Sequence, residues 1–159
     1  METPKYFFQY RDDAQKLFLR EYVYALGTFH YNWHDEIELL VILRGRADIC
    51  TGGCVYQLEE DDMILINSNE GHATLARSAD CLAFLIRFSP TVFEAYDANY
   101  RALRFQLLTD SSSRAQLPYR LLRMYMTKML LAMETDEQKN LLQMQSGLYP
   151  LLELLQSQF

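Results

Sequence analysis

Two histidines and one glutamate carry the spacing best suited to chemistry in this chain. His34 and Glu38 are four residues apart, and His72 closes a later polar turn. Imidazole nitrogens and a carboxylate can bind a divalent metal ion, exchange protons or hydrogen-bond a polar ligand. Asn32 lies two residues before His34 and would share its face on an extended strand. These four residues form one candidate set, which either binds a metal ion or hydrogen-bonds within itself and to an organic ligand.

Further side chains near this set are candidates for ligand contact. They are His30, Glu36, Tyr22, Tyr24 and Arg87. His30 shares the predicted face of the first set and lies either at a rim or against a ligand, while Glu36 points either at a ligand hydroxyl or at solvent. The two tyrosines alternate with Val23 and either line a pocket or pack in a core. Arg87 lies within an apolar run and either holds an anion through its guanidinium fork or reaches the surface along its stem.

Composition and motifs exclude several classes of function. The chain has 159 residues and a net charge of −6, and its basic residues are scattered rather than clustered. Nucleic-acid binding needs a cationic surface against the phosphates. There is no Gly-x-Ser-x-Gly elbow, phosphate-binding loop or dinucleotide fingerprint. We therefore do not expect these residues to bind DNA by themselves or to perform the reactions that those motifs serve.

The sequence carries no membrane or secretion signal. No apolar run approaches the roughly 20 residues of a membrane span, and the first residues lack the basic and apolar regions of a secretory signal. The three cysteines, Cys50, Cys54 and Cys81, are an odd number, which favours free thiols in a reducing compartment. We expect a cytoplasmic protein without a membrane partner.

The first 110 residues have the pattern of many short strands, typical of an all-β sandwich or barrel. The predicted strands are 18–26, 38–43, 47–50, 55–58, 63–66, 73–76, 82–88 and 103–108. Gly52-Gly53 predicts a two-residue hairpin turn, which places Cys50 and Cys54 on opposite faces and argues against a disulfide. The runs 39–43 and 63–66 are apolar on both faces, so a second layer must cover them, and the C-terminal tail is the candidate.

From Leu117 the apolar period changes to that of helices. One helix begins near Pro118, whose missing N–H is harmless in the first turn. A second begins at Thr135, and Pro150 is expected to kink or break it. With 110–113 as a linker, the predicted organisation is a β domain over 1–110 and a helical segment over 111–159.

Two motifs in the β half resemble those of a known family. The run 32–45 matches His-x-His-x3-Glu-x6-Gly, except that Asn32 stands in place of the first histidine. In the run 61–72, a polar turn and a strand lead to His72. With the Phe-Ser-Pro that follows, these motifs resemble the cupin superfamily, specifically the N-terminal sensory domain of AraC/XylS-type transcription regulators, over residues 27–90.

The resemblance implies a mainly β fold: a cupin double-stranded β-helix, or jelly-roll barrel, followed by two C-terminal α-helices. We expect the barrel to bind a small polar metabolite, and a sugar is favoured because the candidate lining residues include His, Asn, Glu and Tyr. The helices would make a homodimer and transmit binding to a helix-turn-helix DNA-binding domain outside these residues. The residues expected at the dimer contact are Leu121, Tyr125, Met129, Leu148, Leu152 and Leu155.

Three interpretations of the barrel are open. The favoured one is a sensor without a cofactor, because an asparagine in place of a histidine weakens the metal set. The alternative is a small metal-dependent cupin enzyme, an oxygenase or isomerase, using His34, Glu38 and His72, with or without Asn32. The third is a dimerisation module whose barrel is filled by aromatic side chains and holds no ligand.

Overall fold

The chain forms two compact units, Met1–Arg104 (the β unit) and Phe105–Phe159 (the helical unit). The structure, a computed structural model, describes residues 6–134 and 137–159, without the side chains of residues 30 and 137–139. The segment 110–113, expected to be a linker, is a hydrogen-bonded turn within the helical unit. The Asp110 carboxylate there accepts the backbone N–H of Ser112 at 2.8 Å and of Ser113 at 3.0 Å.

Nine strands are present in the described part of the β unit. They are β1 (Tyr6–Asp12), β2 (Leu17–Ala25), β3 (Thr28–Asn32), β4 (Ile37–Arg44), β5 (Ala47–Thr51), β6 (Cys54–Leu58), β7 (Met63–Ile66), β8 (His72–Ala76) and β9 (Leu82–Phe88). The predicted strand at 103–108 is wrong. Gln106 instead donates its backbone N–H to the Phe159 carbonyl at 3.2 Å, within the helical unit.

The strands form two antiparallel sheets. One has the order β1-β2-β9-β4-β7 and the other β3-β8-β5-β6. A buried cluster takes side chains from both sheets, including Leu40 and Leu85 from the first and Ile49 from the second. Two sheets around one core, followed by two helices, confirm the predicted fold class.

The central strands are covered on both faces. Every residue from Ile37 to Ile42 on β4 is buried, and so is every residue of β7. Because side chains alternate along a strand, both faces of these strands are withdrawn from water, as their continuous apolar sequences predict.

The glycine pair at 52 and 53 forms the predicted two-residue turn between β5 and β6. Gly52 and Gly53 have φ angles of +57° and +77°, the left-handed region that such turns require. Thr51 pairs with Cys54, and Cys50 pairs with Val55. The two cysteines therefore lie on opposite faces of the hairpin, and both are free.

The helical unit contains α1 (Leu117–Ala132) and α2 (Glu137–Gln158). Pro118 lies in the first turn of α1, as predicted, whereas the start predicted for α2 at Thr135 lies outside the described residues. Helix α2 continues through Pro150, so it is not broken there. Fully buried side chains before and after Pro150, such as Leu148 and Leu155, outweigh the one backbone hydrogen bond that a proline removes.

Most residues expected at a dimer contact are buried inside the single chain. Those that are buried are Met129, Leu148, Leu152 and Leu155. The half-buried ones are Leu121 and Tyr125. The two helices approach closely at Gly147, where an added Cβ would lie 2.6 Å from the Tyr125 carbonyl oxygen. The apolar face that α1 exposes, described below, shares only Leu121 with this set.

Neither helix in the described residues combines the length and apolarity needed to cross a bilayer.

Candidate functional site

A cavity of about 300 Å³ opens in the β unit and is lined by both sheets. Its polar groups come from β3 and β8 on one side and from β4 and β9 on the other. Three of the four residues of the candidate set line it: Asn32, Glu38 and His72. His34 approaches from the loop before β4 and contacts Glu38. The cavity is therefore the candidate ligand site.

Glu38 is the centre of the polar cluster. It lies on β4 directly opposite Arg87 of β9, and the guanidinium contacts its Oε1 through Nε and Nη2, each at 2.5 Å. The Nε2 atom of His34 lies 2.8 Å from the same oxygen. The Nε2 atom of His72 lies 3.5 Å from Oε2. One buried carboxylate thus holds three nitrogen-bearing side chains together.

The orientation of His72 is set by the backbone. Its Nδ1 atom lies 3.0 Å from the Glu70 carbonyl oxygen. A carbonyl only accepts hydrogen bonds, so this nitrogen carries a proton. Nε2 is then the atom that faces Glu38, and it carries a second proton only when the imidazole is charged. The His34 and His72 rings are 5.2 Å apart, edge to face.

The charges of the cluster reinforce one another. Burial by itself would raise the pKa of Glu38, but hydrogen bonds from His34 and His72 and the charge of Arg87 hold that pKa well below its ordinary range. Burial lowers the pKa of His72, but the hydrogen bond and charge of Glu38 outweigh it and raise the pKa above its usual value. Glu38 is therefore ionised at neutral pH, and the cluster favours a cationic His72.

The same residues offer donor atoms of the kinds that bind a metal ion. Donor atoms of His34, Glu38 and His72 lie within 4.8 Å of one another, a spacing that one divalent ion can bridge. Two features oppose an ion: Arg87 already places a positive charge on Oε1 of Glu38, and the Asn32 Oδ1 atom accepts the backbone N–H of the next residue at 2.9 Å. A metal would compete with the guanidinium for the same oxygen. The set fits a hydrogen-bonded cluster better than a metal centre.

Two layers of side chains make up most of the cavity wall. The polar layer consists of Asn32, Glu38, His72 and Arg87. The inner layer consists of Phe29, Leu40, Thr74 and Leu85. The layers follow from strand register, since Glu38 pairs with Arg87 and Leu40 with Leu85 two residues along. On the other sheet, Asn32 pairs with His72 and Phe29 with Thr74.

The structure distributes the other sequence-based candidates over several places. Tyr24 is buried and lines the cavity, and burial together with the charge of Glu38 raises its pKa. Tyr22 is half-buried, with its ring centre 5.8 Å from the Arg87 guanidinium carbon. Glu36 is not in this cavity: it pairs with Arg20 in a separate cleft. The side chain of His30 lies outside the described part.

The expectation that Asn32 and His34 share one strand face is wrong, and the same expectation for residue 30 lies outside the described side chains. Strand β3 ends at Asn32, and its register shifts between Phe29 and Asn32. Both Phe29 and Asn32, three residues apart, therefore line the cavity. His34 reaches Glu38 from the following loop, not through strand alternation.

Several lining residues escaped the sequence analysis. They are Phe29, Tyr31, Leu40, Ile66, Ala73, Thr74 and Leu85. The strand period would have found Leu40 and Leu85, because each is two residues from an inward-facing Glu38 or Arg87. No local sequence pattern predicts that β3 pairs with β8. Neither Phe29 nor Thr74 could therefore be predicted to line the cavity.

Tyr31 lies over Gly71 beside the cavity. A Cβ built on Gly71 would fall 1.5 Å from the Tyr31 hydroxyl oxygen and 2.1 Å from its ring carbon Cζ. Tyr31 is 72% exposed and lines the cavity. Only a glycine at position 71 lets this ring rest where it does.

Replacing Gly71 with alanine should move the Tyr31 ring away from the cavity mouth without unfolding the protein, because only the far end of an exposed side chain must shift. We expect His72, 6% exposed, to react with diethyl pyrocarbonate about threefold faster or more. Peptide mass spectrometry would measure the rate. Gly27→Ala is the matched control, since nothing lies within 4 Å of a Cβ there. Equal rates in both variants would contradict a covering role for Tyr31.

Comparison with known proteins gives one family. A family model described as the AraC-like ligand binding domain matches residues 17–152. The chain is similar to the cupin-2 domain of an XRE family transcriptional regulator from Enterobacter cloacae, with 17% identity, 52% of this chain and 93% of that chain covered, and a TM-score of 0.42. It is also similar to a cupin-2 domain containing protein from Shewanella frigidimarina, with 17% identity, 54% and 78% covered, and a TM-score of 0.42.

A third similar structure is a protein from Thermotoga maritima described as a predicted oxalate decarboxylase. Its identity is 18%, the shares covered are 52% of this chain and 77% of that chain, and the TM-score is 0.42. No curated protein matches the chain in sequence.

Proposed function

Because the chain belongs to the family of AraC-like ligand-binding domains, we propose that it senses a small-molecule effector in the cavity of its β unit and thereby controls an attached DNA-binding domain. The chain would act as a homodimer in the cytoplasm, where a regulator meets DNA. The effector itself, and not a metal ion, would be the group that the polar cluster recognises.

The cavity is the observation that carries this proposal. It has about 300 Å³ of free space, the lower end of the range for small-molecule sites. Its wall combines an apolar surface with a few convergent polar groups, the arrangement that fixes the orientation of a ligand. A barrel serving only as a dimerisation module would have this space filled by side chains.

A metabolite screen tests the proposal. Binding of an effector to the folded chain should raise its thermal midpoint. Leu85→Phe, which adds volume to the inner layer, should abolish the rise, whereas Leu142→Phe in α2, at a position 77% exposed, should preserve it. If no metabolite raises the midpoint of the wild-type chain in a way that Leu85→Phe removes, the sensing proposal fails.

The second candidate function is a metal-dependent cupin enzyme, favoured by the convergence of His34, Glu38 and His72. We expect the purified chain to hold no stoichiometric iron, manganese or zinc by elemental mass spectrometry, because Arg87 competes for Glu38. Near-stoichiometric metal that disappears in His72→Ala would overturn this expectation and support the enzyme.

The exposed face of α1 supports a homodimer. Its large exposed apolar side chains are Leu117, Met124 and Leu131, which are 64%, 45% and 50% exposed. They lie seven residues apart, the repeat with which one helix packs along another. Leu121, half-buried, lies on the same stripe. We propose that this stripe, and not the buried residues of α2, pairs with a second copy.

Met124→Glu should shift the chain toward the monomer by about tenfold or more in dissociation constant, because an unpaired charge would be buried in the contact. Sedimentation velocity at micromolar concentration would measure it. Gln143→Glu adds the same charge at an exposed position of α2 and should leave the dimer intact. A wild-type chain that sediments as a monomer would remove the dimer from the proposal.

A further inference from the structure

We propose that the effector is an amphiphilic acid: a molecule of about ten to fifteen non-hydrogen atoms with a carboxylate head and an aromatic or branched aliphatic body. This rests on the proposed function, since it names the class of molecule taken by the same cavity. It differs from the sugar that the sequence favours, because the charged side chains that line the cavity all lie in the polar layer and the inner layer is mostly apolar.

The inner layer sets the nature of the body. Phe29, Leu40 and Leu85 offer no hydrogen bonds, and Leu40 and Leu85 are each 2% exposed. A sugar carries hydroxyl groups around its whole ring. Those facing this layer would lose their hydrogen bonds to water without replacement. An aromatic ring or branched alkyl group loses no hydrogen bonds to water there and gains apolar contact.

The polar layer sets the nature of the head. A guanidinium has five N–H donors, and Arg87 directs only Nε and Nη2 at Glu38. His72 also turns its Nε2 atom toward this layer. A carboxylate accepts several hydrogen bonds at once, here from the guanidinium N–H groups that Glu38 leaves uncommitted and from His72.

A second arginine, paired with its own carboxylate, lies beside this layer. Arg20 of β2 lies directly opposite Arg87 of β9, so the two guanidinium-bearing residues share one face of the sheet. Like charges opposite one another on neighbouring strands repel. Each arginine has one carboxylate partner, Glu36 or Glu38. The Nε atom of Arg20 is nevertheless buried with no hydrogen-bond partner among the described residues. An anionic head near Arg87 would reduce this repulsion.

Thr74 marks one polar point within the inner layer. Its hydroxyl oxygen is buried and has no hydrogen-bond partner among the described residues, although it lines the cavity. A buried hydroxyl without a partner is costly. The oxygen is turned away from the open space of the cavity, so the Thr74 side chain would have to rotate about χ1 to meet a single hydroxyl or similar group on the body of the effector.

Calorimetric titration with defined probes tests the proposal. The acids are 3-phenylpropionate, its three ring-hydroxylated derivatives and 6-methylheptanoate, each measured at pH 7 beside its primary amide. Arabinose and xylose are the neutral polyols. We expect acids to bind, amides to bind about tenfold more weakly or worse, and one hydroxylated isomer to bind best. Because the probes vary the ligand alone, this result does not depend on any variant folding.

Two variants connect the preference to named residues. Arg87→Gln should bring the affinities of acid and amide to within about threefold, while Arg87→Lys should keep part of the difference. Thr74→Val should remove the advantage of the best hydroxylated isomer. Arg77→Gln is the matched control, because Arg77 pairs with Asp48 and does not line the cavity.

The outcomes distinguish the proposal of an acidic effector from the proposed sensing function on which it rests. Equal binding of acids and amides, or tight binding of arabinose or xylose that Leu85→Phe removes, would overturn the acid head and leave the sensing function standing. Failure of every acid to bind would also overturn it. If, in addition, no metabolite in the screen raises the thermal midpoint in a way that Leu85→Phe removes, the proposed sensing function fails too.

Discussion

Replacing Glu38 with glutamine should lower the free energy of unfolding by about 3 to 5 kcal/mol. The substitution removes the charge that Arg87 contacts and weakens the acceptor facing His34 and His72. The Arg87 side chain is only 14% exposed, so water replaces the lost partner only in part. Urea unfolding of both proteins at pH 7 would measure the difference.

Two further variants separate charge from packing in this prediction. Asp48→Asn breaks a similar pair, but its partner Arg77 is 55% exposed, so we expect a loss nearer 1 kcal/mol. The double variant Glu38→Met with Arg87→Met removes both charges and should recover part of the stability lost in Glu38→Gln. If Glu38→Gln costs no more than Asp48→Asn, Glu38 is not the energetic centre of the cluster.

Glu21→Gln should stabilise the protein, and increasingly so as the pH rises. Glu21 is fully buried on β2 between Phe8 of β1 and Ile86 of β9. Neither carboxylate oxygen has a hydrogen-bond partner among the described residues. Burial raises the pKa of Glu21 to about 8.

The sign of the pH dependence follows from that pKa. Below about pH 4.5, Glu21 is protonated in both the folded and the unfolded chain, so its ionisation has no effect on stability. Between about 4.5 and 8 the unfolded chain ionises and the folded chain does not, so stability falls by up to about 1.4 kcal/mol per pH unit. Above about 8 the loss is complete.

The gain from Glu21→Gln should therefore grow from less than about 1 kcal/mol at pH 5 to about 4 or 5 kcal/mol at pH 8. Thermal unfolding at several pH values would measure it. Glu153→Gln, at an exposed position of α2, is the control and should show no such trend. A gain that does not change with pH would mean that Glu21 is ionised in the folded protein.

The order of the elements could be predicted from local patterns. Short apolar runs between turn residues predict strands, and a three- and four-residue period predicts helices. The strand predicted at 103–108 is wrong because an apolar run indicates that residues are buried but does not indicate which element they pack against. Residues 105–108 belong to the helical unit. At Gly52 and Gly53 the pattern was sufficient, since a two-residue turn depends on its own φ angles.

The centre of the candidate site could also be found in the sequence. His34, Glu38 and His72 were grouped by motif spacing, and the structure brings them within 4.8 Å of one another. Their ligand-binding role, and that of Asn32 and Arg87, stays a prediction. What Glu38 contacts was not predictable, because Arg87 reaches it through the pairing of β4 with β9, strands far apart in the chain.

By itself, the sequence determined the residue types, the strand and helix periods, and the spacing that brings a carboxylate near two imidazoles. Only the tertiary structure decided which side chains share a cavity wall. It paired Glu36 with Arg20 and Glu38 with Arg87. It also introduced a bulge in β3, so that both Phe29 and Asn32 line the cavity. It also enclosed Glu21 among apolar neighbours. The reason is physical: alternation along a strand is local, whereas the register between strands depends on residues distant in sequence.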